Sequence, residues 1–595
     1  MRELYLSRIE YYGDKSARIK RVIGRFYLIR LILFVYFVAF LVLFLSNDYA
    51  LIYLLQLLLG LGAFIVCVVY DLKFAKRDAL YCKYIEINKN ELEALNHNLS
   101  FNKNGEHYHK LNPHLSVDFD LFGEKSLFNY INRSTTKVGS DKFAKSLVTP
   151  IFESETIELR ANAIAELAAN IEFIQAFQVY GAQVAERGDE VENLQLWIDS
   201  DEPKIPLLKL LCWLVPLLNG VVILLLILGC LPISMVSVVF LISLPWVYFN
   251  TTKIAKSHNL LGRSAAIFQK YSSLISLIEN QEFTSELLVR YKADVVSDLL
   301  PASKAIARLK SLLEKFDRRY NLLASLMLNS LYVMDLQNYR CLLEWKASFG
   351  RYTTKWFEVI ADFDALIGYA TFNLNNEQLT CKAVISDDDF EITARNISHP
   401  LIPSYECVDN DFKIAGKPFA MVITGANMAG KSTFLRTVVV NLILAMNGAR
   451  VRASEFRFTP CQILSSIKIQ DSLMNKESYF YAELKRLSEI LDSLVNEPRS
   501  LVILDEMLRG TNTKDKQSGS IGLIEKIIAQ KGVVIVATHD LVIGDMEKSY
   551  PEIVHNFNFE VELVDDHLKF DYKLKHGITS KFNASFLMKK MGIIN

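Results

Sequence analysis

The chain has no surplus of either charge. In 595 residues, 66 Lys and Arg stand against 66 Asp and Glu, for a formal net charge of +0. That balance excludes a global basic field steering the protein to nucleic acid, so any DNA affinity has to come from a local patch. Cysteine is sparse too. The eight cysteines, among them Cys67, Cys212, Cys230, Cys341 and Cys461, contain no Cys-x-x-Cys pair. This argues against a disulfide or zinc framework and for reduced residues in a cytoplasmic setting. His107, His109 and His114 lie close together, but no Cys or acidic cluster completes a metal site around them. Apolar residues, by contrast, make up 51% of the chain, and the mean hydropathy of +0.19 is high for a soluble protein of this length.

The apolar excess sits in four runs. Residues 1–25 carry Arg2, Arg8, Lys15, Arg18, Lys20, Arg21 and Arg25 and read as a basic cytoplasmic segment. A hairpin over 26–70 follows: Phe26 to Leu45, with Arg30 able to snorkel, the short turn Ser46-Asn47-Asp48, then Tyr49 to Tyr70, whose one strongly polar residue is Gln56. Each run is long enough to cross a bilayer, and the long basic lead-in reads as an anchor rather than a cleavable signal. A second hairpin over 207–249 repeats the plan, with Leu210 to Leu228, a turn without Lys or Arg, and Met235 to Phe249, interrupted by Pro216, Pro232 and Pro245. Lys and Arg crowd the outer flanks of both pairs, Lys204 and Lys209 before the second and Lys253, Lys256 and Arg263 after it. The positive-inside rule then predicts a multi-pass protein of a bacterial-type inner or plasma membrane, with both termini and the soluble domains in the cytoplasm. The alternative is two apolar hairpins buried in a soluble protein, against which the uncharged length of the runs argues.

Residues 81–204 and 255–386 show helical spacing, clearest from Thr156 to Ala185 with Ile157, Leu159, Ile164, Leu167, Ile171 and Ile174. From 388 to 595 the texture changes. Pro418 to Thr424, Ser500 to Leu504 and Gly532 to Ala537 are short Val- and Ile-rich runs of the kind buried on both faces of a parallel sheet, and helical segments fall between them. This predicts an α/β domain.

Gly425-Ala426-Asn427-Met428-Ala429-Gly430-Lys431-Ser432-Thr433 fits the Walker A pattern, with a strand before it and a helix, Ser432 to Met446, after it. In such a P-loop the turn amides face phosphates, Lys431 neutralises the β/γ oxygens and Ser432 offers its hydroxyl to Mg²⁺. Leu501-Val-Ile-Leu-Asp505-Glu506 reads as a Walker B strand. Asp505 would hold Mg²⁺ and Glu506 would polarise the attacking water. His539, at the end of the strand beginning at Val533, is placed to sense the γ-phosphate.

Together these motifs resemble the ATPase domain of the MutS family of DNA mismatch repair proteins. The likeness runs through Asn447-Gly-Ala-Arg-Val-Arg-Ala453, Ile469-Gln-Asp471, Glu477 to Glu483, Leu504 to Asp515, Ala537-Thr-His-Asp540 and Lys573 to Ser580. Upstream, Asp118 to Phe128, Asn132-Arg-Ser-Thr-Thr-Lys-Val-Gly139, Leu147 to Pro150, Ala361-Asp-Phe-Asp364-Ala-Leu and Ser398-His-Pro400 are similar to the family's helical core. The resemblance covers roughly 115–200 and 260–595 and inserts the second hairpin into the core.

The resemblance implies an α/β P-loop ATPase domain of the ABC type and an all-α core or lever domain, to which the apolar runs add four transmembrane helices in two hairpins. It implies ATP and Mg²⁺ as ligands, and a homodimer in which Thr511, Asn512, Thr513 and Asp515 of one subunit complete the other's site. Lys516 stands where the family pattern has Gly. Cys407 occupies the place of the family's adenine-stacking aromatic, with Tyr405 the nearby aromatic able to serve. The mismatch-reading and connector domains have no counterpart here, since the first hairpin takes their place, and Phe122-Gly-Glu124 belongs to the core signature.

Three functions follow from these readings. The first is a membrane-anchored MutS-like ATPase that moves its helical arms around a partner, DNA among the candidates. The second is a membrane signalling or scaffold ATPase without nucleic acid. The third is an ABC-type transporter, for which four spans, two of them inside the arm domain, are too few.

Overall fold

Two 45-residue helices open the chain, α1 (Arg2–Ser46) and α2 (Leu51–Leu95). The computed structural model describes residues 1–46, 51–201, 205, 207–262, 264–296, 300–317, 322–387, 389–468, 479–497, 499–564 and 567–579. Asn47-Asp48, Lys204, Arg263, Ile469 to Asp471, Glu477-Ser478 and the tail from Ser580 lie outside the described residues. At ~1.5 Å rise per residue each helix is about 68 Å long, twice the ~30 Å of a hydrocarbon core. Only one half of each is apolar, and that half leaves Leu31, Ile32, Leu58 and Leu59 exposed. Two polar pairs close between the helices: the Tyr36 hydroxyl donates to Gln56 Oε1, and Arg30 lies 2.9 Å from Asp71 Oδ2.

The charged halves continue into the protein body. Residues 1–25 are therefore not a separate basic segment but the first seven turns of α1. They are docked by Tyr5, whose hydroxyl donates to Asn375 Oδ1 at 2.6 Å, and by Arg8, which donates to Gln175 Oε1 at 2.8 Å and pairs with Glu172. Sequence reading missed this because the contacts span more than 160 positions.

The helical body consists of α3 (Pro113–Asp118), α4 (Leu127–Ile131), α5 (Lys137–Val148), α6 (Ser154–Ala169), α7 (Ile171–Gly181) and α8 (Glu190–Asp199). It resumes after the second hairpin, α9 (Leu208–Ile227) and α10 (Val236–Leu261), with α11 (Ala265–Asn280), α12 (Glu286–Val295), α13 (Ala302–Asp317), α14 (Leu322–Tyr332) and the 42-residue α15 (Met334–Asn375). Side-chain oxygens of Ser126, Thr136 and Asn170 cap α4, α5 and α7 by accepting from the N–H three residues on. Two of the upstream signature stretches, Asn132 to Gly139 and Ala361 to Leu366, meet here. Asp364 of α15 accepts from Thr136 N at 2.8 Å and Thr136 Oγ1 at 2.7 Å, and a Cβ on Gly139 would fall 2.3 Å from Asp364 Oδ2. Among the described residues four helices, α1, α2, α9 and α10 with its short lead-in, are long and apolar enough to cross a membrane.

The last third of the chain holds two sheets. Its elements are β1 (Val384–Ile385), β2 (Glu391–Ile397), β3 (Asn410–Ala415), β4 (Phe419–Gly425), α16 (Lys431–Met446), β5 (Glu455–Phe458), β6 (Gln462–Ser466), α17 (Tyr479–Asn496), β7 (Ser500–Asp505), α18 (Thr513–Ala529), β8 (Val533–Thr538), α19 (Leu541–Gly544), α20 (Met546–Ser549), β9 (Val554–Val564) and β10 (His567–His576). One sheet runs β1-β5-β2-β3 and the other β10-β9-β4-β8-β7-β6, with only β10 antiparallel in the second. Every residue of β4, β7 and β8 is buried, as strands covered on both faces require. The body and the sheets are joined at α16 and β6. Asn373 Oδ1 of α15 accepts from Arg450 N at 2.9 Å, and the Asp118 carboxylate accepts from Lys468 N at 2.8 Å.

Candidate functional site

Strand β4 ends at Gly425, and the chain turns through Ala426 to Gly430 into α16. Two glycines make this turn possible. Gly430, at φ 107, is the N-cap of α16, and a Cβ on Gly425, at φ 153, would lie 2.8 Å from the Phe559 carbonyl oxygen of the neighbouring strand. Met428 also adopts a left-handed φ of 68 with its side chain exposed. The first amides of α16 consequently open, at the positive end of a 16-residue helix, toward the C-terminal edge of the parallel strands.

Lys431 folds back over this turn. Its Nζ donates to Gly425 O at 2.7 Å and Ala426 O at 2.9 Å and lies 3.3 Å from His539 Nδ1. Burial drags its amine from 10.5 down to about 8, against the pull of Glu506 and Asp505. Ser432 Oγ donates to Asp505 Oδ2 at the end of β7. Burial pushes the Asp505 carboxyl up, against the Ser432 bond.

Glu506 follows in a left-handed conformation, φ 52, with its own N–H donating to Ala537 O of β8 at 2.9 Å. Its carboxylate sits between His539 Nε2 on one side and Arg509 Nε, 3.3 Å away, on the other. The bond from His539 holds the Glu506 carboxyl down to about 2. His539 Nδ1 lies 2.8 Å from Gly425 O, which fixes the ring from its far side.

A cavity of about 560 Å³ opens over these groups. Its floor is Asn427, Met428 and Gly430 to Thr433, and Glu506 stands on one side. Further lining comes from the segment that leads into β3, through Cys407, Val408 and Asn410, and from β10, through Tyr572. Tyr405 is not part of this lining: it is 84% exposed and stands outside the cavity. Tyr572 lines the cavity together with Phe434 and Phe559, and its ring reaches within 3.1 Å of where a Gly430 Cβ would stand. Asn410 straps it in place, donating to Tyr572 O at 3.1 Å and accepting from Leu574 N at 2.7 Å. Nothing local in the sequence places Tyr572 here, because β9 had first to pair beside β4.

Glu483 was likewise only one letter of a resembling stretch. It is 2% exposed on α17 and accepts from Leu508 N at 2.6 Å and Arg509 N at 3.2 Å, bracing the loop that follows Glu506. Thr511, Asn512, Thr513 and Asp515 stand apart from the cavity at the solvent-facing start of α18, where Asn512 caps the helix by accepting from Asp515 N at 3.0 Å.

This arrangement is an α/β domain with an anion-seeking cleft at the C-terminal ends of parallel strands. Residues 421–589 match the family model for MutS domain V, and it is this segment of the chain that carries the likeness to the MutS family. It is similar to the DNA mismatch repair protein MutS of Aquifex pyrophilus, 34% identical over 194 residues, which is 32% of this chain and 22% of that protein. It is also similar to MutS protein homolog 4 of Homo sapiens, 32% identical over 197 residues, 31% of this chain and 20% of the relative. The Caldanaerobacter subterraneus DNA mismatch repair protein MutS is 33% identical over 239 residues, 39% and 27% respectively. The chain thus spans about a quarter of the length of the curated relatives it matches.

Proposed function

We propose that the chain is a membrane-anchored ATPase of MutS type that hydrolyses ATP with Mg²⁺ and uses the change of nucleotide state to move its helical body. One observation carries this reading: Lys431, Ser432 and Glu506 line one cavity, with Asp505 bonded to Ser432 and His539 to Glu506 beside it. The cavity volume of about 560 Å³ lies within the ~300–1,000 Å³ of small-molecule sites.

In this reading the triphosphate takes over the Lys431 ammonium from the Gly425 and Ala426 carbonyls, and the α16 amides complete the cradle. Tyr572 offers its ring to the base. The Ser432 hydroxyl and Asp505 carboxylate already face each other, and two hard oxygen donors suit Mg²⁺, which would neutralise charge on the phosphate oxygens. Glu506, kept ionised by its neighbour, accepts the proton of the attacking water. His539, anchored on Gly425 O, links that base to the turn that holds the phosphates.

The test is direct. Lys431→Ala removes ATP binding and turnover together, whereas Glu506→Gln keeps binding and loses about 10²–10⁴-fold in turnover. Turnover equal to wild type in both variants overturns the enzyme reading.

The partner acted on is DNA in the first reading, since the relatives bear that word in their names, and the chain works as a homodimer through Thr511 to Asp515. The even charge balance favours the second reading, a membrane signalling or scaffold ATPase. Salt-dependent binding of branched or mismatched duplex, with a change in ATPase rate, supports DNA, and its absence supports the second. The membrane is a bacterial-type inner or plasma membrane, crossed four times, with both termini in the cytoplasm.

A further inference from the structure

We infer that α14 enters the bilayer from the cytoplasmic side as a re-entrant half-helix, braced against the second hairpin at mid-depth by Asn219. The inference rests on α9 and α10 being membrane spans and adds a fifth embedded element that is too short to cross.

The depth follows from two independent counts. Asn219 lies 11 residues beyond Leu208, the start of α9, which is about 16 Å at ~1.5 Å per residue. Its Nδ2 donates to Ser243 Oγ at 2.7 Å. Ser243 lies seven residues into α10 from Val236 and ten before Lys253, about 10 Å from one end and 15 Å from the basic flank. Both counts put the pair near the middle of a ~30 Å hydrocarbon layer.

The same Asn219 Nδ2 also approaches Ser330 O at 2.9 Å and Leu331 O at 3.0 Å. These are carbonyls of the last turn of α14, so the end of α14 has to lie at the same depth. A single residue, Val333, at φ 44 and fully buried, separates this end from α15, which leads back toward the ATPase domain.

The chemistry of α14 agrees with that placement. Leu322 to Tyr332 contains no charged residue, and its 11 residues span about 16 Å, half of the hydrocarbon layer. Leu323, Leu326 and Met327 are exposed at 73, 45 and 64%, a costly surface in water and an ordinary one in lipid. The same kind of surface is presented by the α9 and α10 residues Trp213, Leu217 and Tyr248.

A broken helix in hydrocarbon needs its loose backbone groups satisfied within the protein. Asn219 supplies a donor to two terminal carbonyls of α14, and Asn329 Oδ1 accepts from Asp335 N at 2.9 Å at the start of α15. Asn219, Ser243, Asn329 and Ser330 are all buried. They answer the question an isolated Asn in an apolar helix poses, because its partner is backbone that would otherwise be unpaired.

The experiment uses the full-length wild-type chain in phosphatidylcholine vesicles carrying a diazirine at mid-acyl chain, with crosslinked residues mapped by mass spectrometry. The inference expects adducts on Leu323, Leu326 or Met327 as well as on Leu217, Trp213 or Tyr248, and none on the exposed, aqueous Glu286. Adducts on α9 and α10 without any on α14 overturn the re-entrant helix while leaving the spans standing. Absence of adducts from α9 and α10 as well overturns the membrane reading itself, and the inference with it.

Discussion

At the residue scale, Lys431 and Glu483 show how burial tunes the site. Lys431 must be protonated to hold phosphate, yet burial lowers its amine to about 8. Below that value the ammonium is present before ATP arrives, and above it binding has to take up a proton. ATP affinity is therefore expected to fall as pH rises past 8, by up to about tenfold per pH unit. Nucleotide titrations at pH 7, 8 and 9 check this, and a flat profile contradicts it. Glu483 is a positioning residue. It holds two N–H groups in a loop where Glu506 and Leu508 both have positive φ, 52 and 57. Glu483→Ala leaves the buried Leu508 N–H without its acceptor, at about 1–3 kcal/mol. The expected result is a fall in kcat with KM for ATP nearly unchanged, alongside a lower Tm. Equal turnover in the variant would show that the loop is held by other means.

At the scale of elements, the three strands expected from Val- and Ile-rich runs form within a residue of their forecast ends, and the helix after the glycine turn begins one residue early, at Lys431. Burial on both faces makes such strands continuous in the sequence, which is why they are legible. The order β9-β4-β8 is not, because pairing is decided by contacts across a hundred positions. The seam between α16 and α6 is another such contact. Gly448, at φ 77, lies so close to α6 that a Cβ would be 2.6 Å from Ala161 N and 3.0 Å from Ile157 O, both backbone atoms. Gly448→Ala is expected to cost about 1–3 kcal/mol by thermal or urea unfolding. Gly522→Ala on α18 meets nothing within 4 Å and serves as the neutral or slightly stabilising comparison.

For the whole molecule, α15 is the organising rod. Its 42 residues run about 63 Å from the Asn219 level of the second hairpin to Asn373, which accepts from Arg450 beside the sheets. Movement of the α16 end relative to the body would be carried along one continuous helix. The membrane arrangement has a simple check in two native thiols. Cys230, in the turn between α9 and α10, and Cys82, on the inner half of α2, are both exposed. In intact cells a membrane-impermeant maleimide should label Cys230, and Cys82 should react only after permeabilisation. Equal labelling of both before permeabilisation contradicts the four-span topology.

The sequence by itself determined the α/β character of the segment from β2 to β10, the glycine turn, the acids at the end of β7, His539 after β8 and four apolar runs. Each of these is a local pattern of periodicity or spacing, carried by residues within one or two elements of each other. Only the tertiary structure decided that residues 1–25 belong to α1, that Tyr572 rather than Tyr405 lines the cavity, that Glu483 braces the Glu506 loop and that Asn219 meets the end of α14. Those four depend on side chains and backbone groups brought together from distant positions by burial of polar atoms, and no local pattern in a single chain records such a meeting.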